Sequence, residues 1–153
     1  AGNIVAVLSK ILGTSASLIG LSPDPRGTTN GLWRMLKDNG KWQPVEWINP
    51  PMELGTEYRT TERYFGKPVY VKTVDFGALP NASYKFVGIE NGASIIRVSA
   101  LASNGKTLSG SIGASQREQV LCMGSSNSVE IITYADASSL TATVTAWYTK
   151  TAD

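Results

Sequence analysis

From residue 57 onward, apolar and polar positions alternate in short runs, broken about every ten residues by turn chemistry. The runs are "YKFVGIE", "SIIRVSALAS", "KTLSGSI", "EQVLCM", "SVEIITYA" and "LTATVTAWYTK". The breaks are "NG", "NGK", "GASQ", "GSSN" and "DASS". A period of two with Gly, Asn, Asp and Ser at each break is the pattern of an antiparallel β-sandwich or barrel. The last run sorts most cleanly. Leu140, Ala142, Val144, Ala146 and Tyr148 share one face and are expected in the core. Thr141, Thr143, Thr145, Trp147 and Thr149 share the other, a threonine ladder suited to a surface that meets water or another subunit. Trp147 interrupts that polar face. An uncovered indole leaves apolar area in water at roughly 25 cal/mol per Å², so a cover is expected: a neighbouring loop, a sister subunit or a saccharide ring.

One stretch alternates without sorting. In "GTEYRTTERYFGKPVYVKTVDFG" (residues 55–77), a hairpin with Tyr64 opposite Val69 carries Tyr58, Thr60, Glu62 and Tyr64 against Val69, Val71 and Thr73 on one face. The other face carries Arg59, Thr61 and Arg63 against Tyr70, Lys72 and Val74. A strand with one wet face separates apolar from polar; neither face here does so, which predicts a position covered on both sides.

Upstream the period changes. Ile4, Ile11 and Leu18 lie seven apart, with Val7, Thr14 and Leu21 between them, an a/d pattern that predicts a coiled-coil-like helix over residues 1–22 with more than two strands. Gly13 and Gly20 weaken it by about 1 kcal/mol each, and the alternative is one short amphipathic helix over residues 3–12. Pro23, Pro25 and the turn formers from Gly27 to Gly31 make a connector. In "GLWRMLKDNGKWQPVEWINPP" two strand-like runs flank Asn39-Gly40, the strongest two-residue hairpin signal in the chain. Trp33, Trp42 and Trp47 cluster there, either as a miniature core or as a sugar-stacking platform. The chain thus divides into a helical segment (1–22), a connector with a Trp-rich hairpin knob (23–50), and an antiparallel, jelly-roll-like β-sandwich with an N-terminal hairpin (51–153).

Composition narrows the chemistry. Charged residues make up 17% of the 153 positions and the net charge is +2, with no basic run to neutralise phosphates, which argues against a nucleic-acid partner. No apolar run reaches the roughly 18 residues of a membrane span, so no membrane insertion is expected; "AGNIVAVLSKILG" is too short and too weakly basic for a signal peptide. "NAS" at residues 81–83 fits the glycosylation acceptor pattern, one that arises often by chance. Histidine is absent, which removes the imidazole-based triads and the commonest zinc sites. The single cysteine, Cys122 in "QVLCMG", has apolar neighbours and reads as an inert buried thiol. No cofactor, metal or catalytic residue is expected.

The segment "EWINPPMELGTEYRTTERYFGKPVYVKTVDFGALPN" resembles a module found near the C-termini of tail fibre and receptor-binding proteins of bacteriophages and prophages, which carry "NPPM", "EYRTTER", "GKPVY" and "LPN" in this order. The ending "AWYTKTAD" is similar to that family's terminal "YTKT.D", and "GLWRM…W" to the tryptophan-bearing knob that often precedes it. The resemblance implies a homotrimer in the virion tail, continuous with upstream fibre segments, whose distal β-domain contacts a glycan or protein of the bacterial surface. It implies no ligand role for Tyr58, Arg59 or Arg63. On that reading the two-sided hairpin holds the trimer or joins its modules, with Arg59, Glu62 and Arg63 pairing across chains.

Recognition is expected at loops carried on the rigid sandwich, at residues 102–106, 113–118, 124–128 and 135–139, with an aromatic nearby. The candidate ligand-binding residues are Trp147, Tyr134, Asn104 and Asp136. Two other functions are carried alongside: a purely structural trimerisation or capping module, and a polysaccharide depolymerase. The last needs an acid pair across a cleft, and spacing singles out no pair among the 12 Asp and Glu residues.

Overall fold

The computed structural model describes residues 13–22, 31–111, 113 and 118–153. They form mainly β-structure in antiparallel sheets, as the alternation predicts. Two compact units result: the described residues up to Pro51 with Tyr58–Thr61, and Met52–Glu57 with Glu62–Asp153.

In the first unit β1 (Ala16–Ser22) pairs antiparallel with β2 (Gly31–Asp38), placing Leu18 opposite Met35. β2 turns through Asn39-Gly40 into β3 (Lys41–Trp42), closing on Asp38 and Lys41. Both turn residues have positive φ, 46° and 76°, the type I′ geometry that matches strand twist and that Asn-Gly adopts at least cost. β4 (Glu46–Asn49) pairs with β2, and Trp47 pairs in parallel with Thr60 of β5 (Glu57–Tyr64). Tyr58 is buried edge-on against Trp47, centroids 5.5 Å apart. Glu46 is 2% exposed. Burying a carboxylate is costly unless it is paired, and Arg34 Nε at 2.9 Å and Arg59 Nε at 3.5 Å pair it. Trp33, Trp42 and Trp47 are all half-buried.

The helix expected over residues 1–22 is corrected where the structure describes it: Ala16–Ser22 is strand. Leu18 and Leu21 belong to a ladder with β2 rather than to a heptad seam. A helix that Gly13 and Gly20 already weaken loses, over Ala16–Ser22, to backbone pairing with β2. Residues 1–12, with Ile4, Val7, Ile11 and the shorter helix, lie outside the described residues, as does most of the Pro-rich connector.

The second unit is built from two sheets. One has the order β6 (Lys67–Ala78), β13 (Thr141–Lys150), β8 (Ala93–Ala102), β9 (Thr107–Leu108). The other has the order β10 (Gly110–Ser111), β11 (Gln119–Ser125), β12 (Ser128–Thr133), β7 (Tyr84–Gly88). Their shared core joins Val120, Val129 and Ile131 of one sheet to Val144, Ala146 and Tyr148 of the other, all fully buried. The winding differs from the jelly roll expected. β8 to β9 and β10 to β11 to β12 stay within their own sheets, so this stretch runs as consecutive hairpins, which short turns favour over crossings.

The unsorted stretch at residues 55–77 has a physical cause. Phe65-Gly66 is a two-residue turn with φ of 47° and 81°, so Tyr64 meets Lys67 and not Val69. A slip of two residues leaves the faces unchanged, because side chains alternate with period two. Val69, Tyr70 and Val71 are each no more than 8% exposed, so successive residues of β6 are covered on both faces within one chain, whereas the hairpin tip is open, with Tyr64 46% and Phe65 92% exposed. The charges are also paired internally, Arg59 with Glu46 and Glu62 with Arg97.

One polar cluster locks β13 in place. Tyr148 is 0% exposed and stacks on Tyr70, centroids 5.9 Å apart. Its hydroxyl donates to the Glu57 carboxylate, which also holds Lys150 Nζ at 2.6 Å. Lys150 Nζ in turn lies 4.5 Å from the centre of the Tyr70 ring.

Two measurements probe this packing. Ile131→Ala is expected to lose about 2–5 kcal/mol in urea unfolding, by deleting buried methylene groups and leaving a cavity. Burial first, then the bond to Glu57, raises the Tyr148 pKa above its ordinary value. A raised folded-state pKa means that the contribution is complete below the ordinary tyrosine value of about 10 and is lost as pH climbs beyond it. Tyr148→Phe is therefore expected to be less stable by about 1–3 kcal/mol at pH 7, and the gap between the two urea midpoints to shrink above about pH 10.

Candidate functional site

The four expected ligand residues divide into two places. Tyr134, Asp136 and Asn104 come to one end of the two-sheet unit. There Leu79 N–H donates to Leu140 O, Thr133 Oγ1 to Pro80 O, and Ala82 N–H to Ala135 O. Asn81 and Asp136 form an isolated bridge, and Ser103 N–H bonds Thr141 O while Thr141 N–H bonds Ser103 Oγ. The loops at residues 79–83, 102–106 and 134–140 are thus tied to one another. Trp147 stands six residues further along β13 than Thr141, about 20 Å away at roughly 3.3 Å per residue.

Within this end, the polar side chains serve the loops. Asn104 accepts the Lys106 N–H at 3.3 Å, closing the β8–β9 turn. Asp136 accepts the Ser138 hydroxyl at 2.6 Å and its backbone N–H at 3.0 Å; these two bonds, the hydroxyl first, hold its carboxyl below the ordinary value. It is a fixed negative charge at neutral pH. Tyr134 is 59% exposed.

Trp147 is half-buried, and within its own chain it is covered by an arginine on the neighbouring strand. Arg97 lies directly opposite it on β8, with its guanidinium carbon 4.1 Å from the ring centre, and Arg97 Nη2 reaches Glu62 at 3.4 Å. A cation over an indole face is itself attractive, so the ring is engaged within its own chain.

A surface that sequence reading passed over begins beside Tyr134. Along β12 exposure alternates: Val129, Ile131 and Thr133 face the core, whereas Glu130 and Ile132 face outward. Tyr134 is exposed in the bend just beyond the strand. On the neighbouring edge strand Tyr84 lies opposite Ile132 and Phe86 opposite Glu130. Tyr84 is 62% and Phe86 52% exposed, and their rings meet edge to face, centroids 5.5 Å apart at 71°. On the far side of β12, Leu121 pairs with Ile132, and the exposed Met123 pairs with Glu130. The outward face of this sheet is therefore apolar and aromatic around one carboxylate.

β7 is turned opposite to the usual order for one alternating strand. Its aromatics face water, while Lys85, on the other parity, reaches Phe76 O at 2.8 Å and Ala78 O at 3.1 Å, with its ammonium 4.8 Å from the Phe76 ring centre. The ammonium caps carbonyls at the end of β6. A signal existed in "YKFVG", where two aromatics sit at i and i+2, but single-strand alternation assigns those to the core.

Elsewhere the chemistry is spare. Burial pushes the Cys122 thiol up to about 11, which keeps it protonated and a poor nucleophile at neutral pH. Among the described residues no group of three or more Cys, Asp or Glu side chains is placed to hold a metal ion, and no helix is long and apolar enough to cross a membrane. The described surface here offers exposed aromatic rings beside one carboxylate, Glu130. No family model matches the chain, and no curated protein and no solved structure matches it.

Proposed function

We propose that this chain is the receptor-binding module of a phage or phage-like tail fibre, carried on the virion tail, and that it attaches the particle to a polysaccharide or protein of the bacterial surface. The observation that carries the reading is the outward face of β7 and β12, where Tyr84 and Phe86 are each more than half exposed. Exposed aromatic area on a rigid sheet is costly to the free protein, and large exposed patches on soluble domains mark interaction sites. The hairpin likeness to tail-associated proteins supplies the biological setting. A homotrimer continuous with upstream fibre segments presents three such faces, and simultaneous engagement raises avidity by roughly 10² to 10⁴ without any new contact.

A second reading draws on the same face. If copies of the chain pack on it, the module trimerises or caps a fibre and the receptor is bound elsewhere. Binding of the fluorescently labelled protein to a panel of bacterial strains, with its mass measured by sedimentation, separates the two. The adhesion reading expects saturable binding to some strains by a species of three times the chain mass. A trimer that binds no strain points to the structural role; a monomer that binds overturns the trimer and leaves adhesion standing.

A further inference from the structure

We propose that the outward face of β7 and β12 is a stacking site for an uncharged or amine-bearing pyranose chain, with Tyr84 and Phe86 as the aromatic surface and Glu130 as the acceptor beside them. This rests on the adhesion reading and names the class of ligand that reading leaves open.

Shape comes first. A pyranose ring has two apolar faces of C–H groups and a polar equator of hydroxyls, so it pairs with an aromatic face that has a hydrogen-bond acceptor beside it. Phe86 stands directly across from Glu130, and Tyr84 across from Ile132. Same-face neighbours along a strand are about 6.6 Å apart, the scale of one sugar ring and its linkage. The 71° angle between Tyr84 and Phe86 matters: the two rings make a corner and not a plank. A corner takes a single ring of a soluble or branched glycan against one face and one edge; the flat surface of a crystalline polymer has no access to both.

Charge selects within the sugars. Among the described strand positions on this face, Glu130 carries the one charged side chain. The cation of β7, Lys85, is on the opposite parity and spends its donors on Phe76 O and Ala78 O. No cation among these positions is set to receive a uronate, sialate or phosphate group, and the Glu130 carboxylate repels one. Hydroxyl and ammonium donors are complementary to it.

The experiment is titration calorimetry of the whole chain with three probes: neutral glucose and N-acetylglucosamine oligomers, unsubstituted glucosamine oligomers, and oligogalacturonate. Strain binding and sedimentation are run in parallel on wild type, Tyr84→Ala, Phe86→Ala and Glu130→Gln. Binding is expected for a neutral or amine-bearing oligomer and absent for oligogalacturonate. Each aromatic variant, folded by circular dichroism and unchanged in mass, is expected to lose roughly tenfold or more in affinity. Glu130→Gln is expected to weaken the amine-bearing oligomer more than the neutral one, a difference that a purely structural role for Glu130 would not give. Preference for oligogalacturonate, or full affinity in both aromatic variants, overturns the proposal. A fall in assembly mass in the aromatic variants also overturns it, because the face is then an interface between copies. If wild type binds strains but none of the oligomers, the proposal fails while adhesion stands; if it binds neither, both fail.

Discussion

The two-sheet unit depends on β13 lying between β6 and β8. Both of its edges are hydrogen-bonded, its inward row Ala142, Val144, Ala146 and Tyr148 is buried, and its far end is fixed by the Tyr148–Glu57–Lys150 contacts. The partners are remote in sequence: Thr145 bonds Thr73 at 2.8 Å across 72 positions, and Lys150 reaches Glu57 across 93. Until this strand inserts, β6 and β8 are two unpaired edges around an open core. Non-local closure of that kind slows folding and makes the assembled state cooperative. It also places the rest: Ser103 and Leu79 are tied to the start of β13, so the loops that carry Tyr134 and Asp136 are held by the element that completes the core.

Against that well-sorted strand, β7 is the exception. Turning Lys85 toward the β6 carbonyls and two aromatics toward water reverses the order a free-standing strand would choose. The reversal has a local return, since Lys85 caps two carbonyls and covers the Phe76 ring. It also guards an edge, where a lysine discourages pairing with another chain. Neither gain covers Tyr84 and Phe86. A rule of local consistency broken at one place, in a sheet that obeys it elsewhere, is the physical mark of a surface kept for something outside the chain.

How much of this was legible beforehand depends on whether the deciding contacts are local. The inward row of β13 and the Asn39-Gly40 turn were readable, because alternation and turn chemistry are properties of a few adjacent residues. The hairpin's faces were readable but not its register, since the chain turns at Phe65-Gly66 with a phenylalanine at a positive φ that composition does not favour. The strand at Ala16–Ser22 was misread as helix because its partner lies across a connector and a seven-residue spacing satisfies both periods for a short way. Tyr134 was expected to be exposed, and it is, at 59%, whereas the aromatic pair Tyr84 and Phe86 was passed over. Asn104 and Asp136 proved to be turn-closing residues, a role their side chains fill with bonds two residues away. Trp147 was rightly singled out as needing a cover, but Arg97, 50 positions earlier, can be named only once the pairing of β8 with β13 is known.

So open a surface must still be adequate for attachment. One sugar ring on an unenclosed aromatic corner has little of itself buried, and binding must first offset lost translational and rotational freedom, about 4 kcal/mol at the least. Affinities in the millimolar range, near −4 kcal/mol, are what remains. For a lone enzyme that would be a poor site. Under the proposed function, a fibre tip meeting a repeating polymer would be served well by it: each contact would form and break quickly, while three linked contacts would hold with an avidity gain of roughly 10² to 10⁴. On this reading the shallowness of the face is a consequence of threefold presentation, and a deeper, tighter pocket would trap the first contact before the other two could form.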